Sequence, residues 1–259
     1  MTETSVVVLT GGAGILGSVM SERLVEEGHP LAVVDRGQAL LDTLMERLGH
    51  PSNVRGYVAD VTDRARMEEI RLDVEKELGT VEVLINAAAG KTDNFFDPFE
   101  AFPLDDWNEV MRLNVTSAMT CAQVFGKPMA DRGAGTIINI LSIYGIVAPD
   151  QRIYEGSEYL GRPINTPAIY SASKAALWGL TKYLSAYWGA NGVRVNAVTP
   201  GGVFSGQNDT FVERYSARVP MGRMAQPNEI ADAVAFLASS HATYISGQNI
   251  MVDGGLSVW

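Results

Sequence analysis

Short runs of apolar, mostly β-branched residues alternate with amphipathic segments along nearly the whole chain. The apolar runs predict strands at residues 6–9, 31–34, 54–58, 81–85, 136–141, 193–198 and 249–252. Apolar residues at helical spacing predict helices at residues 19–27, 40–48, 64–78, 107–129, 172–188 and 227–237. Continuous apolar strands separated by helices are typical of a parallel sheet with both faces covered. We therefore expect a single-domain, doubly wound α/β fold of Rossmann type over residues 1–259.

Two connections in this pattern are unusually long, at residues 148–168 and 201–226. The first is polar and aromatic, and the second carries several glycines and arginines. Both follow strands whose carboxyl ends should border a ligand crevice. Because loops of this length in a compact domain often cover active sites, we predict an active-site insertion near 148–168 and a substrate loop near 201–226.

Charge and composition exclude several kinds of partner. The chain has 20 basic and 30 acidic side chains, a net charge of −10, so we expect neither a nucleic acid nor an anionic membrane surface as partner. The first residues have no features of a secretory leader, and no apolar run is long enough to cross a bilayer. The only cysteine, Cys121, lies in an apolar run and is predicted to be a buried structural thiol. We expect a cytoplasmic protein without a metal site.

Glycines at 11, 14 and 17 stand between the first predicted strand and the following helix. Gly11 suits a tight turn, Gly14 lets the backbone approach a pyrophosphate, and Gly17 lets helix and strand pack closely. The helix N-terminus near Ile15 attracts phosphate charge. Glycine triplets alone are weak signals, but the strand–turn–helix context predicts a dinucleotide site.

Asp35 and Arg36 end the second predicted strand. A carboxylate here can accept hydrogen bonds from an adenosine ribose and repels a 2′-phosphate, which favours NAD over NADP. The neighbouring Arg36 weakens that preference, since a guanidinium can hold a phosphate or stack on adenine. Asp60, after the third strand, is interpreted either as an acceptor for the adenine amino group or as a helix cap.

Tyr170 and Lys174 are four residues apart, hence on one face of a helix. A nearby cation stabilises a phenolate, so the pair predicts a lowered pKa for Tyr170 and a general acid or base near neutral pH. Such pairs are common on amphipathic helices, so this pair indicates catalysis only in combination with the other motifs of the chain.

In that context the chain closely resembles the short-chain dehydrogenase/reductase family. The matching segments occur in the family's order at residues 10–17, 60–61, 86–89, 114, 142, 170–174, 200–203 and 253–255. The resemblance implies that Tyr170 exchanges a proton with the substrate oxygen, Ser142 orients the carbonyl, and Lys174 binds the nicotinamide ribose. Asn114 would hold a water that links Lys174 to solvent. The residues implied to bind the cofactor are Gly11, Gly14, Ile15, Gly17, Asp35, Arg36, Asp60, Val61, Asn86, Ala88, Tyr170, Lys174, Pro200, Gly201 and Val203.

The resemblance further implies hydride transfer between NAD and a secondary alcohol or ketone. In this chain 28 positions separate Ser142 from Tyr170, more than is usual in the family. The polar, aromatic insertion suits a sugar, sugar acid or polyol, with substrate contacts expected from Ser142, Arg152 or Arg162, Tyr154, Tyr170 and Gly202. A surface flap or an oligomer contact is an alternative role for the insertion.

Two other functions stay open from the sequence. One is reduction of 3-oxoacyl thioesters or other ketones, and the other is a dinucleotide-sensing protein without catalysis. The second typically lacks the tyrosine and lysine, which are both present here. Members of the family that the chain resembles commonly assemble through two long helices, here residues 107–129 and 172–188, so a homodimer or homotetramer is expected.

Overall fold

The computed structural model describes residues 4–159 and 161–259, without the side chains of Tyr159 and Arg162. In this part of the chain the strands are β1 (Val6–Thr10), β2 (Leu31–Asp35), β3 (Val54–Val58), β4 (Val81–Asn86), β5 (Gly135–Ile140), β6 (Glu158–Tyr159), β7 (Arg162–Pro163), β8 (Val193–Pro200) and β9 (Asn249–Val252). All except β6 and β7 form one parallel sheet in the order β3-β2-β1-β4-β5-β8-β9. Each of the seven predicted strands is therefore present, within two residues of its predicted bounds.

Helices cover both faces of this sheet. They are α1 (Ile15–Glu26), α2 (Gln38–Leu48), α3 (Arg64–Glu77), α4 (Leu104–Met111), α5 (Ser117–Cys121), α6 (Lys127–Arg132), α7 (Ala168–Trp188), α8 (Asp209–Ser216) and α9 (Pro227–Ala238). Successive side chains of β1 point to opposite faces: Val6 and Val8 pack with α3 and α7, whereas Val7 and Leu9 pack with α1, α2 and α9. This two-sided core confirms the doubly wound, single-domain fold.

The predicted helix 107–129 is a longer helix with two π turns. It runs through α4, α5 and α6, which are joined by π turns at Arg112–Thr116 and Ala122–Gly126. Pro128 lacks the N–H that would bond to the carbonyl four residues earlier, which accounts for the loosened second turn. The helix ends at Gly133, whose φ of 78° reverses the chain.

The two long connections contain structure that the sequence patterns did not predict. Residues 148–168 include a 3₁₀ turn at Gln151–Tyr154 and the hairpin of β6 and β7. Residues 201–226 include α8, whose first turn is capped by the Asn208 side chain on Phe211 N at 2.9 Å. The Asn208 cap and the spacing of Phe211 and Tyr215 were visible in the sequence, but the surrounding glycines and arginines obscured them.

Cys121 is buried, as predicted, and burial raises the pKa of its thiol to about 12. A thiol with so high a pKa is unreactive at neutral pH. Within residues 4–159 and 161–259, no helix is both long and apolar enough to cross a membrane. The same described residues contain no group of three or more His, Cys, Asp or Glu side chains placed to hold a metal ion.

The order of the strands reverses between β1 and β4, which are neighbours in the sheet. Their carboxyl ends meet there, since Thr10 pairs with Asn86. The Thr10 hydroxyl receives hydrogen bonds from the N–H groups of Ala87 (3.3 Å) and Ala88 (3.4 Å) and so holds the start of the next loop against β1. Ligands of doubly wound proteins bind in the crevice at such a reversal. The functional site is therefore expected at the carboxyl ends of β1 and β4.

Candidate active site

The glycine turn at the end of β1 leaves no room for side chains at two positions. Gly11 has a φ of +66°, and a Cβ there would lie 2.7 Å from Ala88 Cα. A Cβ on Gly17 would lie 2.0 Å from the Gly11 carbonyl oxygen. Gly14 is the N-cap of α1, and α1 begins at Ile15. The turn thus presents backbone and a helix N-terminus, rather than side chains, to the crevice.

Beside this turn lies a cleft of about 490 Å³. The predicted cofactor residues that line it are Gly11, Gly14, Ile15, Gly17, Asp35, Arg36, Asp60, Val61 and Ala88. Its volume and its glycine cradle fit the adenosine and phosphate part of a dinucleotide. Asn86 does not line the cleft, because its side chain is buried and donates to Asn139 Oδ1 at 2.8 Å.

The Asp35 carboxylate is held at the cleft wall by backbone donors. Its two oxygens accept from the N–H groups of Ala13 and Gly37, each at 3.2 Å. The carboxylate is therefore fixed in position next to the glycine turn, and Arg36 lines the same cleft. That Asp35 faces a ribose diol and disfavours a 2′-phosphate stays a prediction.

Asp35→Asn is expected to raise the KM for NAD about 10- to 30-fold and to shift the NAD/NADP preference towards NADP, because it removes charge but keeps the shape. Initial rates with both cofactors measure this. Asp131→Asn, at an exposed carboxylate on α6, is the matched control and should leave both KM values unchanged. An unaltered cofactor preference in the Asp35 variant would show that this carboxylate does not face the ribose.

Asp60 belongs to a polar network at the edge of the cleft. Its Oδ1 accepts from the N–H (2.9 Å) and hydroxyl (2.7 Å) of Thr62, and its Oδ2 pairs with Arg112 at 3.2 Å. Burial raises the pKa of the Asp60 carboxyl, but the bonds from Thr62 and Arg112 outweigh it and hold that pKa below its ordinary value. The interpretation of Asp60 as a helix cap was wrong, since Asp63 caps α3.

The four predicted catalytic residues lie at the carboxyl edge of the sheet. Ser142 follows β5, Tyr170 and Lys174 lie one turn apart on α7, and Asn114 is buried in the first π turn. Asn114 accepts from Gly90 N and donates to Ser173 Oγ, both at 3.0 Å. Both ends of its amide thus bind protein groups and join the loop after β4 to α7. Whether Asn114 also holds a water stays a prediction.

Burial dominates the protonation of the tyrosine and lysine. Lys174 is 4% exposed, donates to the Ile140 carbonyl at 2.9 Å, and has its pKa lowered by burial to about 8. Burial also raises the pKa of Tyr170, partly offset by a hydrogen bond with Ser142. The predicted lowering of the Tyr170 pKa is therefore not found in this state. The Lys174 ammonium lies 6.0 Å from the tyrosine ring centre and is directed at a carbonyl.

Pro200 ends β8, and the two glycines that follow it turn the chain against β9. Gly201 N donates to Val252 O at 2.9 Å, and a Cβ on Gly201 would lie 2.8 Å from Asp253 Cα. Val203 forms a parallel bridge with Ala225 whose two hydrogen bonds use the Gly202 carbonyl and the Phe204 N–H. The bridge thus leaves the Val203 N–H unused.

Gly202, a predicted substrate contact, is engaged within the protein instead. Its N–H donates to the Tyr215 hydroxyl, and a Cβ on it would lie 2.4 Å from the Tyr215 ring. Tyr215 comes from α8, the helix that the sequence patterns missed. The Tyr215 side chain therefore holds the loop at Gly202 in place beside the site.

Arg152 does not reach the site. Its side chain is 81% exposed and forms two hydrogen bonds with Asp150, at 2.8 and 2.7 Å. Asp150 also pairs with Arg218, so the arginine is bound in a surface network rather than directed inward. The expectation that Arg152 contacts the substrate was therefore wrong. The Arg162 side chain lies outside the described part of the structure.

Tyr154 is the insertion residue that approaches the catalytic group. Its hydroxyl bonds to Thr166 Oγ1 at 2.6 Å, and its ring stacks on Phe211 at 5.5 Å. It also forms a hydrogen bond with Tyr144, two residues after Ser142. Tyr144, Phe95 and Tyr215 were not predicted from the sequence, since each reaches the site through tertiary packing alone.

The insertion also borders a cavity of about 970 Å³ beside α7. Tyr144 and Tyr154 line this cavity, as do the α7 residues Ala168, Ile169, Ser171, Ala172 and Ala175. Helical spacing places Ala172 and Ala175 on a different face of α7 from Tyr170 and Lys174. The cavity therefore extends from Tyr144 and Tyr154, near Ser142, to this other face of α7.

Comparison with known proteins identifies the family to which the chain is similar. The family model described as enoyl-(acyl carrier protein) reductase matches residues 12–257. Galactitol 2-dehydrogenase (L-tagatose-forming) of Cereibacter sphaeroides is 34% identical, with 97% of this chain and 94% of that protein covered. The 3-oxoacyl-[acyl-carrier-protein] reductase of Thermotoga maritima is 31% identical, with 99% of both chains covered.

A solved structure gives the same picture. A short chain dehydrogenase from Leptospira borgpetersenii with bound NAD⁺ superimposes with a TM-score of 0.86 at 32% identity, covering 99% of this chain and 94% of that one. A dinucleotide crevice beside a tyrosine–lysine pair defines a nicotinamide-dependent oxidoreductase of alcohols and ketones. The chain belongs to the short-chain dehydrogenase/reductase family.

Proposed function

We propose that the protein transfers a hydride between NAD(H) and a secondary alcohol or ketone carbon of a sugar, sugar acid or polyol. The observation that carries the proposal is the placing of Ser142, Tyr170 and Lys174 at the edge of the sheet where the cleft opens. The hydroxyls of Tyr144 and Tyr154 lie beside this group and suit a polyhydroxylated ligand better than an acyl chain.

In the proposed reaction the alcohol oxygen lies between Ser142 and Tyr170. When bound, the nicotinamide would supply the acceptor for the hydride of the alcohol carbon, and in its reduced form the hydride donor for the ketone. Tyr170 takes the hydroxyl proton as general base during oxidation and returns it as general acid during reduction. Ser142 holds the oxygen, and the Lys174 ammonium favours the phenolate form of Tyr170. Asn114 acts as a positioning residue through Gly90 and Ser173.

The finer features of the proposal follow from the same residues. NAD is the preferred cofactor, with NADP less suited, because of the fixed Asp35 carboxylate. Residues 1–259 act as one catalytic domain. Residues 148–168 and 201–226 cover the site, through Tyr154 and Tyr215. A single cysteine, buried and unreactive, suits the reducing cytoplasm.

Steady-state rates with NAD and a panel of sugars, sugar acids and polyols test the proposal. Turnover of several members, and none of 3-oxoacyl thioesters or steroids, is the expected result. The second candidate is 3-oxoacyl-thioester reduction, which is favoured by the similarity to the 3-oxoacyl-[acyl-carrier-protein] reductase of Thermotoga maritima. Activity confined to thioesters would establish that candidate and exclude the sugar proposal.

We also propose that two copies associate through α7 in a homodimer, which can pair further into a homotetramer. At Gly179 an added Cβ would meet open space. Four and eight residues before it, Ala175 and Ser171 line the large cavity, and at the same distances after it Tyr183 and Tyr187 are 63% and 62% exposed. A two-fold axis at Gly179 would therefore place the tyrosines of each copy in the hollow of the other.

Gly179→Arg is expected to convert the oligomer into a monomer, because a large charged side chain at the axis holds the helices apart. Sedimentation velocity measures the change. Gly189→Arg at the end of α7, where an added side chain also meets open space, is the matched control and should leave the oligomer intact. An unchanged sedimentation coefficient for the Gly179 variant would place the interface elsewhere.

A further inference from the structure

The backbone just past β8 forms hydrogen bonds within the protein at nearly all of its polar groups. The Gly202 carbonyl accepts from Ala225 N, and the Phe204 N–H donates to Ala225 O, each at 2.9 Å. The Val203 carbonyl accepts from the Gln207 side chain at 3.0 Å. Within the described part of the chain, nothing accepts from the Val203 N–H. This N–H is therefore the donor that the segment keeps available for a ligand.

A phenol from α8 holds the residue before Val203. The Gly202 N–H donates to the hydroxyl of Tyr215, whose side chain is buried with 3% exposure. The fit is close, because a Cβ on Gly202 would lie 2.4 Å from Tyr215 Cζ. Without the hydroxyl, the Gly202 N–H would face a buried ring and lack an acceptor. The Tyr215 hydroxyl thus fixes the peptide that leads into Val203.

The position of Tyr215 depends in turn on the insertion at residues 148–168. Phe211 lies one turn before Tyr215 on α8, with 5.9 Å between the two ring centres. Tyr154 of the insertion stacks on Phe211, and Arg214 of α8 donates to two backbone carbonyls of the insertion. A helix of eight residues is not stable in isolation, so these contacts hold α8 in place.

The Tyr215 phenol is unsuited to proton transfer. Burial raises its pKa to about 12, and the bond from Gly202, which lowers the pKa, does not offset this. The neighbouring Tyr154, Asp253 and Tyr170 raise the pKa further. A phenol with so high a pKa stays protonated near neutral pH. Its contribution is therefore the hydrogen bond to the loop.

We propose that Tyr215 is a positioning residue that sets the Val203 N–H for the carboxamide of a bound nicotinamide, and that the insertion holds Tyr215 there through Tyr154 and Phe211. The resemblance to the family implies that the Val203 backbone binds the cofactor. Tyr215 then controls the affinity for the nicotinamide half of the cofactor, and the adenosine half, beside Gly11, is independent of it. The inference goes beyond the proposed function, since it holds for a substrate of either candidate class.

Calorimetric titration with NADH and with ADP-ribose, which lacks the nicotinamide, tests the inference. Tyr215→Phe should raise the Kd for NADH about 10-fold and leave that for ADP-ribose within about twofold, because one hydrogen bond of the nicotinamide loop is lost. Phe211→Leu should give the same pattern with a smaller rise. Tyr57→Phe on β3 removes a buried hydroxyl that has no hydrogen-bond partner, and this control should change neither Kd. If the protein binds NADPH more tightly, NADPH and 2′-phospho-ADP-ribose replace the pair.

The two ligands separate positioning from support of the fold. Equal weakening of both, or an unchanged affinity for NADH in Tyr215→Phe, would overturn the role of Tyr215. The pH–rate profile of this variant should keep the wild-type position of its rising limb, and a shifted limb would assign the phenol to proton transfer instead. Wild-type NADH affinity in Phe211→Leu would overturn the part assigned to the insertion. Because binding is measured without substrate, failure of the sugar proposal leaves these results unaffected.

Discussion

Tyr170→Phe should lower kcat for alcohol oxidation by about 1,000-fold or more while leaving NAD binding nearly unchanged, because the ring stays and only the proton-transferring hydroxyl is lost. The phenol is hydrogen-bonded to Ser142, and its ring packs edge to face on Phe95, so phenylalanine fits the same space. Initial rates with the best substrate give kcat. Titration of NADH fluorescence gives cofactor affinity.

Tyr244→Phe is the matched control for this substitution, because Tyr244 is fully exposed and should tolerate the same change without effect. Full turnover by the Tyr170 variant would contradict the catalytic assignment. Loss of both turnover and NADH binding would instead indicate damage to the fold, which circular dichroism and thermal unfolding would detect. A wild-type protein that binds NADH but turns over no substrate would support the dinucleotide-sensing alternative.

The parts of the fold that the sequence predicted are those that local pattern determines. A strand buried on both faces must be apolar throughout, so residues such as Val6 to Leu9 identify β1 without any knowledge of its neighbours. The glycine turn is equally local, because the lack of a Cβ at Gly11 and Gly17 is required by atoms within the same turn or in the adjoining strand loop. The type of each of these features was predicted correctly, and the strand bounds were predicted to within two residues.

The parts that were not predicted depend on contacts between distant segments. Tyr215 acts on Gly202, and Phe95 meets Tyr170 across 75 positions of the chain. Arg152 was expected to face substrate because of its residue type, but Asp150 two positions earlier binds it at the surface. Nothing in a single sequence distinguishes an arginine directed inward from one held by its neighbour.

The pKa shifts of Tyr170 and Lys174 likewise depend on contacts that the sequence does not show. Spacing alone places Lys174 one turn from Tyr170, and proximity to a cation lowers a phenol pKa. The sequence does not reveal that Lys174 is buried and Tyr170 partly buried, or that the Ile140 carbonyl binds the ammonium. Burial penalises both charged forms, so it raises the pKa of Tyr170 and lowers that of Lys174 to about 8.

These opposite shifts give the second large prediction, which concerns pH. Oxidation needs the phenolate of Tyr170, so its rate should rise with pH. The Lys174 ammonium, which stabilises that phenolate, is present below about pH 8 and is lost above it. Lys174→Met removes the cation at every pH. We expect kcat near pH 7 to fall about 100- to 1,000-fold and the rising limb of the profile to move to higher pH by about one unit or more.

The pH–rate profiles of the wild-type protein, Lys174→Met and Lys174→Arg distinguish electrostatics from support of the fold. Arginine keeps its proton beyond pH 12, so its variant should retain the wild-type position of the limb even if the larger head group lowers kcat. Lys182→Met, an exposed lysine on the same helix, should match the wild-type profile. A methionine variant with reduced kcat but an unmoved limb would mean that Lys174 supports the site or binds cofactor without influencing the Tyr170 proton. The phenol would then depend on Ser142 alone for its activation.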